Sequence, residues 1–324
     1  MIKVGIVGYG NLGKGVSLAL KKAPDIECVG IFTRRDASSV NPLVDLKVYP
    51  TSCLNEFKNE IDVLILCGGS ATDLPQTTAE YLRDFNTVDS FDTHAKIPEY
   101  KEKLNRVAKE SGKLAGISIG WDPGLFSIAR MLFGAVLPEG NDYTFWGKGV
   151  SQGHSDAIRR IPGVKGAIQY TIPKVEALDL VRSGKNPTLS AREKHLRECF
   201  VVANDGADKA FIEKTIKEMP NYFADYDTVV HFISEEELKE KHSKLAHGGF
   251  VLRSGNTNGD NSHLLELSLK LDSNPEFTGS VLLSYARAVA KMAKEGHSGV
   301  VTVFDVPIKY LSPKTEDELI STLL

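Results

Sequence analysis

The sequence has few cysteines, and they are not arranged as a metal site or a disulfide framework. Four cysteines occur among 324 residues, at Cys28, Cys53, Cys67 and Cys199, without a C-x-x-C motif. The eight histidines form neither an H-x-x-x-H motif nor a cluster with cysteine. Scattered cysteines beside apolar runs are typical of free thiols in a reducing compartment, so we predict no metal site and no disulfide.

The sequence also lacks a strong charge and a long apolar run. Its net charge is −3, with 42% hydrophobic and 25% charged residues, as in an ordinary globular protein. We therefore expect neither nucleic acid nor a membrane as partner. No segment approaches the roughly 18 apolar residues of a membrane span, and the chain opens on a strand instead of a secretory signal. These features favour a cytoplasmic protein of about two domains.

A glycine-rich motif follows the first predicted strand. The apolar run Lys3–Val7 leads into Gly8-Tyr9-Gly10-Asn11-Leu12-Gly13, and a helix continues to Lys22 before Pro24. Strand, tight turn and helix are the context in which such glycines bind a dinucleotide, with the pyrophosphate at the helix N-terminus. The alternative is that three glycines simply form a turn. The position at the start of a strand–helix unit favours dinucleotide binding.

The second predicted strand, Ile26–Phe32, ends in Thr33-Arg34-Arg35. An NAD site usually has an acidic residue here that binds the ribose 2′-hydroxyl. Arginines at this position favour a 2′-phosphate, because guanidinium groups donate forked, charge-assisted hydrogen bonds to it. The sequence therefore predicts NADP as the cofactor. The alternative is a solvated loop that also includes Asp36.

Strands and helices alternate through the rest of the first half. The pattern predicts strands at Ile61–Cys67, Thr87–Asp89 and Leu114–Ile119, and helices at Asp73–Leu82 and Ile97–Ser111. This alternation indicates a doubly wound, Rossmann-type parallel sheet. The loops that begin near Gly68, Phe91 and Trp121 should then meet at one edge of the sheet.

Two of these loops carry a carboxylate, Asp92 and Asp122. Each precedes a predicted helix, so each alone could be an N-cap. Together at the cofactor end of a sheet, they are better candidates for ligand contacts.

The pattern changes after a predicted helix at Leu125–Leu137. Residues 150–164 are interpreted as a polar loop, followed by strands at Ala167–Ile172, Glu198–Ala203, Thr228–Ile233 and Phe250–Arg253, and by alternating leucines at 265–271. This predicts an α+β domain for substrate binding and dimerisation, with a mostly antiparallel sheet. A long helix at Thr278–Lys294 precedes a last strand, Val300–Asp305. The predicted domains are therefore 1–120, with a return at 295–324, and 121–294.

Motifs spread over the whole chain resemble those of the meso-diaminopimelate dehydrogenase family. They are the glycine motif, Thr33-Arg34-Arg35, Ser90-Phe91-Asp92, Trp121-Asp122-Pro123-Gly124, Phe145-Trp146-Gly147, Ser151-Gln152-Gly153-His154 and Asp156-Ala157-Ile158-Arg159. The resemblance implies NADP-dependent, reversible oxidative deamination of meso-2,6-diaminopimelate at its D-centre. The products are L-2-amino-6-oxopimelate and ammonia. It also implies a homodimer and a role in lysine and cell-wall precursor synthesis.

The resemblance also implies site residues. Beside Gly8 and Gly13 of the motif, the implied cofactor contacts are Tyr9, Gly10, Asn11, Leu12, Thr33, Arg34, Arg35, Cys67, Gly68, Gly69, Ser70, Ser90, Phe91, Asp92, Gly120, Trp121, Asp122, Pro123 and Gly124. The implied substrate contacts are Asp92, Asp122, Trp146, Gln152, Gly153, Thr171, Arg197, His247 and Asn274.

Some of these residues have simpler interpretations, and one stretch departs from the family. Arg197 could be a surface charge beside Glu193 or Glu198, Trp146 a core residue, and His247 a loop histidine. Gly68 and Gly69 follow Cys67 directly, where the family pattern has a bulkier residue between cysteine and glycine. This difference affects cofactor packing more than chemistry.

For the chemistry, an ammonium must lose a proton before hydride can leave its carbon. Asp92 and Asp122 are the candidates for that task, and the sequence does not decide between them.

Two other functions are compatible with a two-domain dinucleotide-binding fold. One is a sugar or polyol oxidoreductase. Such enzymes resemble one another in having a catalytic Glu-Lys-Pro run. The nearest stretch here, His94–Pro98, has no glutamate and does not join lysine to proline. The other is a sensor that binds NADP without turnover, against which the charged and aromatic residues of the second half argue.

Overall fold

The computed structural model describes residues 1–70 and 72–324, and these form two compact units. Unit 1 comprises Met1–Ile128 together with Pro275–Leu324, and unit 2 comprises Ala129–Asn274. None of the helices in the described part of the chain is long and apolar enough to cross a membrane.

The strands, in chain order, are β1 (Ile2–Val7), β2 (Ile26–Thr33), β3 (Val48–Pro50), β4 (Val63–Leu66), β5 (Asn86–Asp89), β6 (Leu114–Gly116), β7 (Gly140–Trp146), β8 (Gly149–Val150), β9 (Val164–Pro173), β10 (His195–Ala203), β11 (Asp227–Phe232), β12 (His247–Asn256), β13 (Ser262–Leu271) and β14 (Gly299–Val301). The α-helices are α1 (Asn11–Ala19), α2 (Leu74–Tyr81), α3 (Ile97–Ser111), α4 (Leu125–Val136), α5 (Gln152–Arg159), α6 (Val175–Arg182), α7 (Ala191–Lys194), α8 (Lys209–Lys217), α9 (Glu235–His242), α10 (Asn274–Lys294) and α11 (Glu316–Leu323).

Unit 1 contains a seven-stranded parallel sheet in the order β14-β6-β5-β4-β1-β2-β3. The doubly wound sheet predicted from the sequence is confirmed. The chain runs from β1 to β2 and β3 on one side, and then crosses to β4, β5 and β6 on the other. Ligands of such sheets bind at the carboxyl ends of the strands where this reversal occurs, which here is the edge beyond β1 and β4.

The strands of this sheet are apolar on both faces because each face is covered. All four residues of β4 are buried: Ile65 packs in one core cluster with Ile6 and Val88, whereas Leu64 and Leu66 pack in another. A parallel sheet between two layers of helices requires such continuous apolar strands, and this is why the sequence pattern identified them.

The C-terminal segment completes unit 1. Helix α10 contributes Val281, Leu282 and Val289 to the same core cluster as β1. Its backbone approaches α1 so closely that a Cβ at Gly279 would lie 2.5 Å from the amide nitrogen of Val16. Strand β14 then pairs in parallel with β6 and forms one edge of the first sheet.

Unit 2 contains two sheets instead of one. Strands β11-β10-β9-β8 form the first sheet and β13-β12-β7 the second. Every pairing is antiparallel except that of β10 with β11. The predicted mostly antiparallel character is therefore confirmed, although the sequence pattern did not reveal β7, β8 or the division into two sheets.

One segment of unit 2 differs from its sequence interpretation. The predicted polar loop at 150–164 contains α5, which is capped by the side chain of Ser151 and buries Ile158 against Val201 and Ile212. The helix escapes detection because it is short and because its apolar face rests mainly on one large residue. Helix α9 also begins at a serine N-cap, since Ser234 Oγ accepts a hydrogen bond from the Glu237 N–H over 3.1 Å.

Candidate active site

The predicted glycine motif connects the end of β1 to the start of α1. Gly8 has a φ of +92°, a left-handed conformation that favours glycine. A Cβ at Gly13 would lie 2.2 Å from the Gly8 carbonyl oxygen, so only glycine allows α1 to begin this close to the strand. At Gly10, a Cβ would meet nothing within 4 Å among the described residues. The turn therefore leaves room for a phosphate at the N-terminus of α1, where backbone N–H groups favour anions.

The two arginines that follow β2 lie beside this turn. Nη2 of Arg35 donates a 2.8 Å hydrogen bond to the carbonyl oxygen of Tyr9, and its backbone N–H donates to Thr33 Oγ1. The Tyr9 ring is buried, and its hydroxyl lies 3.0 Å from Ser17 Oγ. Because Tyr9 is fixed in this way, Arg35 is held against the glycine turn with part of its guanidinium still exposed to solvent.

Arg34 is oriented by an ion pair with Asp73. Nη2 of Arg34 lies 2.7 Å from Asp73 Oδ1, and the N–H of Gly69 donates to Asp73 Oδ2 over 2.9 Å. The Gly69 hydrogen bond and then the Arg34 guanidinium hold the pKa of Asp73 below its ordinary value. Val7, Gly8, Thr51 and Tyr81 help to line a cavity beside this ion pair. Both arginines are thus within the nucleotide edge of the sheet rather than in a detached loop.

The structure also accounts for the unusual glycines after β4. A Cβ at Gly68 would lie 2.9 Å from Cβ of Asp73, so a larger residue would displace the carboxylate that pairs with Arg34. Cys67 continues the β4 hydrogen-bonding pattern, since its N–H donates to the Val7 carbonyl. Burial raises the pKa of the Cys67 thiol above its ordinary value. The four cysteines, all among the described residues, are free thiols.

The three loops at the carboxyl ends of β4, β5 and β6 are hydrogen-bonded to one another. The Asp92 N–H donates to Ser70 Oγ over 2.9 Å. The Ile119 N–H donates to the Asp89 carbonyl over 2.9 Å. The predicted meeting of these loops at one edge is confirmed. Ser90 is half-buried between them, and the Phe91 ring stacks on Tyr100 with 4.2 Å between centroids.

Asp92 and Asp122 have different local settings. Asp92 is exposed, and the N-cap positions of the following helical segments belong to Thr93 and Lys96, so Asp92 is not an N-cap. Asp122 is half-buried in a tight turn. In that turn Gly124 has a φ of +136°, and a Cβ there would lie 1.8 Å from the carbonyl oxygen of Gly120.

Trp121 anchors this turn. The Trp121 ring is buried and meets Phe126 edge-on at 5.2 Å, and its carbonyl accepts from the Phe126 N–H. The turn, which includes Pro123, therefore presents Asp122 from a rigid support.

Unit 2 contains a buried arginine. Arg197 on β10 is directly opposite Thr171 on β9, and its Nη1 donates to Thr171 Oγ1. Its guanidinium carbon lies 4.0 Å from the centroid of the Tyr226 ring. Only 6% of Arg197 is exposed, so it is not the surface charge that Glu193 and Glu198 suggested.

The guanidinium of Arg197 is not fully satisfied. Within residues 1–70 and 72–324, its Nε has no hydrogen-bond partner, and neither has Oε1 of the buried Gln169. Burial lowers the pKa of Arg197 below its ordinary value. Buried cations are normally paired because desolvating a charge is costly, so this group is suited to hold an anion such as a carboxylate.

Trp146 is held beside this arginine through His195. The backbone N–H of Trp146 donates to Nε2 of His195 over 2.9 Å, and the two rings stack with 5.5 Å between centroids. Burial, with Arg197 as the next cause, lowers the pKa of His195 to about 3, so this histidine is neutral at physiological pH. His195 is not among the substrate contacts that the family resemblance implies. Its position two residues before Arg197 on a strand was the available signal that both share a face.

The remaining predicted substrate contacts lie on neighbouring segments of unit 2. Gln152 and Gly153 are exposed in the first turn of α5. His247 begins β12 and packs on Gly149, where a Cβ would lie 2.4 Å from Cγ of the imidazole. The N–H of Asn274 donates to the Leu245 carbonyl. Gly149 pairs with Thr171, so His247 and the Arg197–Thr171 pair are connected through β8.

Comparison with known proteins gives one consistent result. Residues 120–273 match a family described as "Diaminopimelic acid dehydrogenase C-terminal domain". Among curated proteins, the chain is 58% identical to "Meso-diaminopimelate D-dehydrogenase" of Ureibacillus thermosphaericus over 323 residues, which cover 100% of this chain and 99% of that protein. It is 45% identical to the protein of the same name from Corynebacterium glutamicum over 322 residues, which cover 99% of this chain and 98% of that protein.

Solved structures give the same result. A mutant meso-dapdh from Clostridium tetani E88, crystallised with DAP, is 53% identical and superimposes with a TM-score of 0.96 over 100% of both chains. An engineered D-amino acid dehydrogenase bound to NADP⁺ is 42% identical, with a TM-score of 0.88 over 100% of this chain and 99% of that one.

Proposed function

The chain belongs to the meso-diaminopimelate dehydrogenase family, and on that premise we propose how its residues perform the reaction. The protein is an NADP-dependent amino-acid dehydrogenase. It catalyses the reversible oxidative deamination of meso-2,6-diaminopimelate at the D-centre, which gives L-2-amino-6-oxopimelate and ammonia. We infer that this activity belongs to lysine and cell-wall precursor metabolism.

The observation that carries the substrate assignment is the unsatisfied, buried guanidinium of Arg197. A substrate with two carboxylates can react at one end while the other end neutralises this cation. The Nε that lacks a partner among the described residues, and Thr171 Oγ1 beside it, are suited to bind that distant carboxylate. Gln152, Gly153, His247 and Asn274 are proposed to line the same substrate, and Trp146 to limit the volume around it.

Unit 1 is proposed to hold the cofactor, and its geometry fits NADP. The open position at Gly10 and the N-terminus of α1 accommodate a pyrophosphate, while Arg34 and Arg35 supply charge for a 2′-phosphate. NADP⁺ held by these residues would supply the acceptor for the hydride that leaves the substrate Cα. Gly68, Gly69, Ser70 and the loops at Ser90 and Gly120 are proposed to surround the rest of the dinucleotide.

Asp92 and Asp122 are proposed to bind the reacting amine. A carboxylate removes one proton from the ammonium group, which frees the nitrogen lone pair to form the imine as hydride leaves the carbon. Water then adds to the imine, a proton returns to nitrogen, and ammonia leaves. Either aspartate can act as the base while the other orients the amine or the water. Because both loops are firmly fixed, they hold the substrate close to its reactive conformation. Such positioning contributes a large part of the rate enhancement.

The assembly and location are also proposals. Helix α4 leaves Met131, Leu132 and Val136 about half exposed, with fractions of 51%, 49% and 60%. Apolar side chains in such a cluster favour contact with a second copy, so we infer a homodimer. The free thiols favour the cytoplasm. Light scattering coupled to size exclusion should give twice the mass of the chain. A monomer at micromolar concentration would contradict the dimer.

A substrate panel tests the function. NADP⁺ reduction is followed by NADPH absorbance with meso-, LL- and DD-diaminopimelate, D-lysine, D-alanine, glucose and myo-inositol. We expect strong preference for the meso isomer, and little activity with the LL isomer, which has no D-centre. Turnover of a sugar or polyol would favour that class of oxidoreductase. NADP binding without reduction by any of these compounds would favour a sensor.

A further inference from the structure

Asp89 is a fully buried carboxylate that the proposed chemistry does not use. It is the last residue of β5, with an exposed fraction of 0%. Its Oδ1 accepts hydrogen bonds from the backbone N–H groups of Phe91 over 3.0 Å and Ser118 over 3.2 Å. Its Oδ2 accepts from the hydroxyl of Tyr100 over 2.7 Å and from that of Thr78 over 3.4 Å. Both oxygens are therefore fixed, one by the loops and one by side chains of α2 and α3.

The two backbone donors belong to different loops. Phe91 immediately precedes Asp92, and Ser118 begins the segment that leads to Asp122. One carboxylate oxygen thus joins the two segments that carry the proposed amine ligands. The backbone carbonyl of Asp89 adds a further link, since it accepts from the N–H of Ile119.

The conformation of Ser118 shows that this junction is specific. Ser118 has a φ of +57°, a left-handed conformation that is uncommon for a residue other than glycine. The hydrogen bond from its N–H to Asp89 supports this conformation and so determines the direction in which the chain proceeds towards Asp122. The side chain of Ser118 is also buried.

The hydroxyl groups of Tyr100 and Thr78 fix the plane of the Asp89 carboxylate. The Tyr100 hydroxyl lies 2.7 Å from Thr78 Oγ1 as well as from Asp89, and its ring stacks on Phe91. Burial raises the pKa of Asp89 above its ordinary value, while its four donors act in the opposite direction. A carboxylate held on all sides cannot rotate, and its two loop contacts are therefore fixed relative to the sheet.

We propose that Asp89 is a positioning residue for the deamination: it ties the loop of Asp92 to the loop of Asp122 and sets the separation of the two amine ligands. This inference rests on the proposed roles of Asp92 and Asp122. The cofactor turn at the ends of β1 and β2 is made by other residues, so loss of Asp89 should impair turnover much more than NADPH affinity. Displacement of a reacting group by about 1 Å can reduce a rate about a hundredfold.

The test compares Asp89→Ala with Asp89→Asn. Alanine removes both acceptors, and we expect kcat to fall about ten- to hundredfold. Asparagine is the conservative variant: its Oδ1 can accept from both backbone N–H groups, and its amide can donate to the two hydroxyl oxygens. It should keep kcat within about threefold of the parent protein. The NADPH dissociation constant, measured by fluorescence titration, should change by a much smaller factor than kcat in Asp89→Ala, because the glycine turn and the two arginines that are proposed to hold the phosphates are on other segments.

A merely structural role is distinguished by the isotope effect. With substrate deuterated at the D-centre, Asp89→Ala should show a larger primary isotope effect on kcat than the parent protein, because misplaced substrate slows hydride transfer itself. A smaller active fraction of a destabilised protein would lower the apparent kcat and leave the isotope effect and KM unchanged. That result, or an unchanged kcat in Asp89→Ala, would overturn the proposal. If Asp89→Ala does not fold, Asp89→Ser is measured in the same way.

Asp25 provides a matched control. It precedes β2, at the amino end of the sheet, and its carboxylate pairs with the buried Arg287 over 2.5 and 2.8 Å. Asp25→Ala should lower the melting temperature while kcat per active site and the isotope effect remain those of the parent.

Asp92→Asn and Asp122→Asn are assayed alongside. If both keep full turnover, the proposed roles of these aspartates fail. If they lose turnover and Asp89→Ala does not, only the role of Asp89 fails.

Discussion

Two buried charged side chains, one in each unit, differ in how completely their hydrogen bonds are satisfied, and this difference indicates different roles. Asp89 has an exposed fraction of 0%, and four donors satisfy its carboxylate. Arg197 is 6% exposed, yet its Nε has no partner in the part of the chain that the structure describes. Desolvating either ion is costly unless it is paired. The fully bonded ion therefore organises backbone, and the incompletely bonded ion is left for a ligand.

This contrast predicts different costs of substitution. Removing Asp89 leaves buried N–H groups without acceptors, whereas removing Arg197 eliminates a buried charge that the ligand-free protein does not fully compensate.

The largest effect is expected at Asp92 and Asp122, the aspartates on the two segments that Asp89 joins. Asp122→Asn, and separately Asp92→Asn, should remove a proton acceptor or an ammonium ligand. The variant that loses the general base should lose about 10²- to 10⁴-fold in kcat. NADPH affinity should fall far less than kcat, since the phosphate contacts are elsewhere. Steady-state kinetics beside fluorescence titration of NADPH measures both. Near-normal turnover of either variant would remove that residue from the mechanism.

The next effect is expected at the unsatisfied cation. Arg197→Met should raise KM for meso-diaminopimelate about tenfold to a hundredfold, because a charged hydrogen bond contributes about 1.5 to 3 kcal/mol. The melting temperature should stay the same or rise, since replacing a buried charge by an apolar side chain is often neutral or stabilising. Calorimetry of Arg197→Met beside Asp89→Ala measures the contrast directly. A large loss of stability in Arg197→Met would show that the arginine is chiefly structural.

A similar loss is expected for the cofactor at the exposed arginine. Arg35→Ala should weaken NADP binding about tenfold to a hundredfold, by about 1.5 to 3 kcal/mol, and leave NAD binding unchanged. The guanidinium is fixed by the Tyr9 carbonyl before any ligand arrives, so little ordering accompanies binding. Equal losses for NADP and NAD, measured by titration calorimetry, would argue against a 2′-phosphate contact.

The smallest expected effect is on the pH dependence of the unfolding free energy, through His195 on the same strand as Arg197. The pKa of His195 is lowered to about 3 in the folded protein, from about 6.5 in an unfolded chain. The unfolded state therefore binds more protons between these values, and stability is lost as pH falls through this window. His195→Gln keeps an acceptor for the Trp146 N–H but does not titrate. In this variant, the difference in unfolding free energy between about pH 7 and pH 5 should shrink by about 2 kcal/mol.

Urea unfolding of the parent and of His195→Gln at the two pH values gives this difference. His154, whose pKa burial lowers to about 4, contributes a second loss over a similar range, so His154→Gln serves as an independent comparison. An unchanged pH dependence in His195→Gln would mean that the imidazole is solvated or protonated in the folded protein.

The sheet of unit 1 could be predicted from the sequence because its main strands are buried on both faces. β4 is a continuous apolar run and β1 and β2 are largely apolar, and no other local pattern competes with them. Short strands such as β3 and β14 have too few residues for a period. In unit 2, polar residues dominate the eight positions of α5, so the sequence pattern there indicates a loop instead of a helix.

Sequence motifs identified candidate site residues, but they did not reveal which side chains are buried or which partners they contact. The motif around Asp92 singled it out, but the carboxylate that joins the loops is Asp89, three residues earlier. Thr87, Val88 and Asp89 are all buried, so alternation along β5 gives no sign that a charge lies inside. For Arg197 a sign existed, since His195 and Cys199 on the same strand face are buried too. Asp73, Asp89 and Arg197 each have a partner from a distant segment, respectively Arg34, Ser118 and Thr171, which only the folded chain brings together.

The return of α10 and β14 to the first sheet has a consequence for synthesis. Unit 2 is one continuous stretch of the chain. The core of unit 1 is incomplete until the segment after residue 274 supplies Val281, Leu282 and Val289. On the ribosome, the strands made first should therefore complete their unit last, after the middle of the chain has emerged and folded. A fragment that stops at Ile128 should remain aggregation-prone, and a version with the two outer segments joined directly should fold without the middle.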